Sequence, residues 1–447
     1  MYYTSSNSSL STHSSESIKE TQSTWSRARK SPISVAVLVG LILFTDMLVY
    51  GSVIPCLPAI VIHKLHGTAK DIGILFGCFA FGYLLATPIF AILSDNYKNR
   101  RYPLIIGSGC IVLSTLCFSW ANTYVVLAIA RLFQGASAGA SWTIGLGMLA
   151  EVFSVDRLGA VMGTVILSHT IGFVLGPVLG GVLYDYGGVH MPFYLCALFG
   201  LFSLVGTCWI AEPIDSEDQE TNNRKNKSRD SESEPLLEHQ HQQQKKMHYY
   251  QDFVDLLKDK RILACVLCCF VTSASLAGME PALPVYLQEK YHVSTSVVGM
   301  IFIAMVIPSF LGPVTGYLSD RFGRPLFIGV GMIIMSLASV LISIQVSSMY
   351  YMIPSLLLFG FSNPLIHTPL MPEMASIVDD IGNGAFAQVY ALYNMSYSIG
   401  ILVGPIVAGF LMSINTEHFQ TLMIVFSLSI LVCVPFMFNT NIFQKKK

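Results

Sequence analysis

Charge is what the chain has least of. Only 12% of the 447 residues are Asp, Glu, Lys or Arg, about half the ~25% typical of a soluble globular protein. Folded soluble domains of this total length could not be coated by 26 basic and 27 acidic side chains. The net charge of −1 and pI near 6.8 also exclude the basic domain expected of a nucleic-acid binder. Cysteine is sparse too: all 10 fall in apolar stretches, so no disulfide framework is expected. Cys265, Cys268 and Cys269 lie in one apolar helix without paired ligands, which argues against a metal site. No phosphate loop, nucleophile triad or haem motif is present, and no cofactor is expected.

What is abundant is long apolar sequence. About 20 residues at 1.5 Å rise cross a ~30 Å hydrocarbon core, and twelve such runs are expected near 34–62, 72–93, 103–120, 124–149, 158–184, 190–211, 262–287, 295–318, 325–346, 350–377, 385–412 and 418–438. They lack the period-2 alternation of barrel strands. The expectation is an all-α polytopic membrane protein with twelve transmembrane helices in two six-helix pseudo-repeats around a central cavity. Residues 1–33 are Ser/Thr-rich and polar, and 213–258 turn abruptly to charged and amide residues that cannot bury a core. This divides the chain into an N-tail (1–33), a first half (34–211), a linker (212–261), a second half (262–438) and a C-tail (439–447). All Lys and Arg except Lys64, Lys70, Lys290 and Arg131 fall on one side of the membrane, so both termini and the linker are expected in the cytosol.

The halves repeat at a nearly constant offset. Pro55 and Pro58 correspond to Pro281 and Pro284; Leu93-Ser94-Asp95 to Leu318-Ser319-Asp320; Gly172, Gly176, Pro177 and Gly181 to Gly400, Gly404, Pro405 and Gly409. Repeats of six helices share one topology and place a cavity at their interface. After the eighth run stand Asp320, Arg321, Gly323 and Arg324, and after the second Asp95, Arg100 and Arg101, acidic-basic turns able to latch one half against the other.

These turns, with the twelve runs, resemble the major facilitator superfamily. Arg131-Leu132-Phe133-Gln134-Gly135 is similar to that family's second motif, whose Arg is linked to proton coupling. Gly172, Gly176, Pro177, Gly180 and Gly181 resemble its antiporter motif. Within the drug:proton antiporter branch the resemblance is strongest to the vesicular amine (monoamine/acetylcholine) transporters. Asp46 is followed by Pro55 and Pro58, and the seventh run reads Glu280-Pro281-Ala282-Leu283-Pro284. The resemblance implies that these acids contribute to amine binding and proton coupling. It also shows departures: Phe79 stands where the family has a lysine, and His367 and Asn394 where it has acids.

A mid-membrane carboxylate costs about 2.5–3.5 kcal/mol on insertion scales, so it must face a cavity, find a partner or take a proton. Asp46 near the middle of its run, and Glu280 in a Pro-interrupted one, are therefore the leading candidates for binding substrate and protons. Two acids against one Arg favour a small organic cation. Tyr50, Trp142, Tyr390, Tyr393 and Tyr397 are candidate cation-π partners, His169 and His367 candidate proton relays, and Asn363 and Asn394 polar contacts; Glu373 reads as an interfacial charge. The expected activity is proton-coupled export of cationic amines or amine-like drugs by a monomer with no enzymatic function. A broad exporter of neutral compounds and a non-transporting nutrient sensor are the alternatives. Glu232 to Leu237 resembles an acidic dileucine sorting signal that an adaptor would read, pointing to a vacuolar, endosomal or secretory-vesicle membrane, or the plasma membrane.

Overall fold

The computed structural model describes residue 29 and residues 31–96, 101–210, 256–381, 386–414 and 418–444. The expected N-tail, linker and dileucine-like segment lie outside these, apart from their edges. Twelve membrane-length helices appear among the described residues: α1 (Pro32–Lys64), α2 (Ala69–Asn96), α3 (Arg101–Ser119), α4 (Tyr124–Val152), α5 (Val155–Gly187), α6 (Met191–Trp209), α7 (Lys260–Tyr291), α8 (Thr295–Phe322), α9 (Arg324–Ser343), α10 (Met349–Ile381), α11 (Phe386–Met412) and α12 (His418–Gln444). The helices match the apolar runs to within a few residues, because the runs are bounded by polar or glycine-rich turns. Eleven of them are long and apolar enough to cross a membrane; α4 is diluted by Arg131, Gln134 and a series of Gly, Ala and Ser.

Two helices change their coil at proline, and others carry proline within a continuous α-helix. Past Pro55 and Pro58, α1 widens over Ala59–Lys64 into a π-type coil, with the Leu65 amide donating to the Ile60 carbonyl at 3.2 Å. Proline has no N–H to give and its ring crowds the preceding turn. Pro308 similarly tightens α8 into a 3-10 turn over Ile307–Leu311, and α10 carries Pro364, Pro369 and Pro372.

Helices α1–α6 pack on one another, as do α7–α12, and the pairings repeat: α1 lies on α5 as α7 lies on α11, and α3 joins α4 and α6 as α9 joins α10 and α12. Glycine sets the closest approaches. A Cβ at Gly176 would stand 2.7 Å from the Gly51 Cα, and one at Gly180 2.7 Å from the Ser52 Cα, so α1 and α5 touch backbone to backbone.

The halves meet through two seams toward one face of the bundle. At the first, Pro177 and Gly181 of α5 face Gly299 and Thr295 of α8; at the second, Pro405 and Gly409 of α11 face Gly73 and Ala69 of α2. The first seam is also hydrogen-bonded: the Ser296 amide donates to Asp185 Oδ2 at 2.7 Å and its hydroxyl to the Gly181 carbonyl at 3.3 Å. Asp185 thus caps the start of α8 from the opposite half. At the second, Lys70 Nζ lies 4.6 Å from the Phe410 ring centre. Toward the other face, where α1 begins and α12 ends, the Gly312–Phe322 stretch of α8 packs on α9 and α10 of its own half. The closest backbone approaches between the halves are thus at the seam face, which is closed.

Candidate functional site

Helices of both halves bring the polar residues together where the halves converge. Asp46 sits on α1 twelve positions before Pro58 and is 3% exposed. Among the described residues no donor meets its oxygens at full hydrogen-bond geometry, but the Ser141 hydroxyl of α4 stands close enough to donate to it, and Tyr83 of α2 is near. A buried carboxylate with so few donors lacks most of the compensation that normally accompanies burial.

Glu280, on α7 of the other half, is 5% exposed but is not alone. The Tyr50 hydroxyl of α1 donates to its Oε2. One turn from Asp46 on the same helix, Tyr50 links the two halves. Its ring is held by Phe76, Phe79 and Phe173, with centroids 6.1, 4.7 and 6.2 Å away.

Arg131 of α4 is fully buried. Its Nε donates to the Leu75 carbonyl at 3.4 Å and its Nη1 to Gln134 Oε1 at 3.2 Å, while Nη2 has no partner. The rings of Phe79, Phe76 and Tyr50 lie 4.6, 5.2 and 5.5 Å from the guanidinium carbon. Three aromatic faces supply much of what water would, each cation-π contact contributing about 2 kcal/mol when desolvated. Phe79, conspicuous in the sequence as a missing lysine, is thus a wall of the arginine's cage. Glu280 is within reach of the Arg131 charge.

In the second half, His367 of α10 is bonded through both nitrogens. Thr272 Oγ1, which donates to the Cys268 carbonyl at 2.7 Å, lies 3.4 Å from Nε2, and the Tyr393 hydroxyl 3.3 Å from Nδ1. Because the Thr272 proton is already committed to that carbonyl, Nε2 is the donor in its contact with Thr272. Tyr397 stands edge-on to His367 at 5.4 Å and stacks with Tyr393 at 6.3 Å, with Glu280 and Tyr83 nearby. Asn394 and Tyr390 are exposed on α11.

Other expected residues lie elsewhere. His169 of α5 is half-buried against Trp142, 5.2 Å between ring centres, and joins neither acid by a hydrogen bond. Gly172, Gly176 and Gly180 face α1, whereas Pro177 and Gly181 form the seam with α8. Arg101 donates to the Thr207 carbonyl at 3.4 Å and to that of Cys208, holding the end of α6. Arg324 pairs with Asp320 at 2.7 Å and donates to the Pro372 carbonyl at 3.1 Å, a bond within one half. Arg321 is exposed beside Phe322, and Gly323, with φ of 106°, makes the turn that only glycine adopts freely. The side chain of Asp95 and the whole of Arg100 lie outside the described residues. Glu373 is 4% exposed, near the charges of Arg324 and Arg261.

A separate crevice of about 540 Å³ runs between α1 and α5, lined by residues such as Ile33, Val37, Phe44, Val161 and Ile171. It is apolar and includes neither acid. Among the described residues no group of His, Cys, Asp and Glu could hold a metal ion.

Comparison with known proteins accords with this architecture. The Major Facilitator Superfamily profile matches residues 39–383. An uncharacterised MFS-type transporter of Schizosaccharomyces pombe is 25% identical over 415 residues, 87% of this chain and 91% of that protein. The human synaptic vesicular amine transporter is 28% identical, over 76% of this chain and 61% of its own length. The vesicular acetylcholine transporter of Drosophila melanogaster is 26% identical, over 80% and 58%. The chain spans about three fifths of these two vesicular transporters. Among solved structures, a bacterial homologue of the human lysosomal transporter Spinster, described as inward-facing and unoccupied, superposes with a TM-score of 0.72 at 14% identity over 91% of this chain and 96% of that one. The nucleoside transporter NupG gives 0.69 at 14%, over 90% and 98%.

Proposed function

The chain belongs to the Major Facilitator Superfamily, and from that premise we propose that it is a proton-coupled antiporter exporting cationic amines or amine-like compounds from the cytosol. The observation that carries this reading is Asp46, a buried carboxylate that among the described residues has the Ser141 hydroxyl beside it and no cation paired with it. An ammonium group supplies both the charge and the donors it lacks. Opposite it, Glu280 gives a second acid, and Tyr50, Tyr83 and Tyr397 supply ring faces suited to an organic cation. The named vesicular amine and acetylcholine relatives accord with the same substrate class.

The cycle follows from competition and geometry. In the state open toward the chain ends, the face assigned to the cytosol, an amine reaches Asp46. Closure there and opening of the two glycine seams carries it to the far side. An acid withdrawn from water favours its protonated form, so protons from an acidic lumen or exterior displace the amine, and the protonated carrier returns empty. Arg131 in its ring cage fixes the potential around Glu280, and Asp320, Arg324 and the corresponding turn near Asp95 latch the opposite face when it closes. The chain-end face being cytosolic, the membrane is that of a vacuole, endosome or secretory vesicle, or the plasma membrane.

The test is uptake of a panel of radiolabelled primary and tertiary amines into proteoliposomes with an acidic interior. Uptake should stop when the gradient is collapsed, and in the protein carrying both Asp46→Asn and Glu280→Gln. Transport that survives either condition refutes the mechanism. The apolar crevice between α1 and α5 favours a second reading, a broad exporter of hydrophobic compounds. Neutral analogues of matched shape should compete in that case and fail to compete in the first.

A further inference from the structure

The crevice between α1 and α5 runs from Ile33 and Val161 to Phe44 and Ile171. It ends where Gly172 brings the helices together: a Cβ there would stand 2.3 Å from the Phe44 carbonyl oxygen. The eleven steps from Ile33 to Phe44 rise about 16 Å, the depth of one leaflet of a ~30 Å hydrocarbon core. Ile33 and Val37 at its rim are exposed. Phe44 and Asp46 lie about 200° apart around α1, so the crevice turns away from the acids. The two hydroxyls in its wall, Thr164 and Ser168, donate to carbonyls of their own helix at 3.0 and 3.3 Å, which leaves the wall without a free donor.

The mouth has the opposite character. Arg157 stands one turn before Val161, in register with the residues of α5 that line the crevice. Arg29 precedes Ile33 by four residues and donates from Nε to the Trp209 carbonyl at 2.7 Å. Both arginines are exposed. An apolar wall of one leaflet's depth with a basic rim complements a molecule with a hydrocarbon tail and an anionic head.

We propose that this crevice is a site for one anionic phospholipid of the leaflet on the side of the chain ends, with an acyl chain between α1 and α5 and the phosphate at Arg29 and Arg157. The inference requires that the chain spans a bilayer and is independent of what it transports. A sterol or a neutral hydrophobic compound would meet the wall but leave the two arginines unanswered. A zwitterionic lipid gains less, because its own cation faces the same guanidinium groups.

The test uses the full chain in phosphatidylcholine bilayers with a trace of phosphatidylserine that carries a diazirine on one acyl chain. Illumination fixes the lipid where it sits, and mass spectrometry locates it. Label should concentrate on residues 33–44 and 161–171, and should yield to unlabelled phosphatidylserine or phosphatidylglycerol far more readily than to phosphatidylcholine. Arg29→Gln with Arg157→Gln should reduce that preference, about fivefold for each arginine, and salt should weaken it in the same direction. Gly40→Leu places a side chain in the crevice beside Ser168 and should abolish the label. Should it fail to fold, Val37→Trp fills the exposed rim to the same end. Label spread evenly over the lipid-facing helices, equal competition by phosphatidylcholine, or label that survives a filled crevice in a folded variant overturns the site. Displacement by cholesterol or by a neutral hydrophobic compound, with the arginine pair without effect, gives the crevice another occupant and overturns it as well. Labelling needs neither a gradient nor an amine, so a failure of the transport reading leaves this result standing, and the reverse.

Discussion

Arg131 is a positive charge in a membrane-spanning helix, fully buried and held by two acceptors and three rings rather than by an ion pair. A lysine would keep the charge but concentrate it at one nitrogen, unable to lie flat under Phe79 while reaching both Leu75 and Gln134. Arg131→Lys should destabilise the protein by about 2 kcal/mol, seen as a lower unfolding temperature in detergent, and should reduce gradient-driven amine uptake at least about tenfold. Unchanged melting and transport would show that charge alone suffices. At this scale the sequence discloses who but not with whom. Asp46, Glu280 and Arg131 stand out because a charge in an apolar run is expensive wherever it points. That Tyr50 bonds Glu280 depends on the rotation of two helices in different halves, which no local pattern encodes, and Phe79 looked like a loss until its ring was found against the guanidinium.

Helix boundaries were the most legible feature, since each apolar run must end where the chain regains water. Less legible were the π-type coil after Pro58 and the 3-10 turn at Pro308: proline announces a break but not which of several wider or tighter coils relieves it. The glycines of α5 were readable as a close-packing motif, yet their spacing could not tell that Gly172, Gly176 and Gly180 serve α1 while Gly181 serves the other half. The seam leads to a sharp expectation. A Cβ at Gly299 would stand 2.8 Å from the Pro177 carbonyl carbon, backbone that cannot step aside, whereas a Cβ at Gly109 of α3 meets nothing within 4 Å. Gly299→Val should pry the seam face apart, raising amide hydrogen exchange at the end of α5 and the start of α8 and lowering uptake. Gly109→Val should behave as the unmodified protein. Equal exchange in both variants would sink the assignment of this seam as the closed gate.

At the scale of the molecule, the internal repeat made two bundles legible, and the matched pairings of α1 with α5 and α7 with α11 follow it. Which face is closed was not legible, because the same small residues serve both states and only their contacts distinguish one from the other. If the seams must part in every cycle, tying them should stop transport without harming the site. The Ser296 backbone amide and the Asp185 carboxylate lie 2.7 Å apart across the halves, so the pair Asp185→Cys with Ser296→Cys, joined by oxidation or by a short thiol cross-linker, would tie them. Oxidation should abolish amine uptake while cation binding from the chain-end face persists, and reductant should restore uptake. Transport undiminished in the oxidised protein would mean that the halves exchange substrate without opening there.

The modest apolarity of α4 bears on biosynthesis. Eleven helices carry enough apolar surface to enter a bilayer unaided, while α4 offers Arg131, Gln134 and a row of small residues. Its partners α2 and α3 precede it in the chain, and they carry Leu75, Phe76, Phe79 and Thr115, the groups that receive Arg131 and Gln134. The helix with the greatest cost of entry therefore emerges from the ribosome after its shelter has been made, and its place in the membrane is a product of the order of synthesis as much as of its own composition.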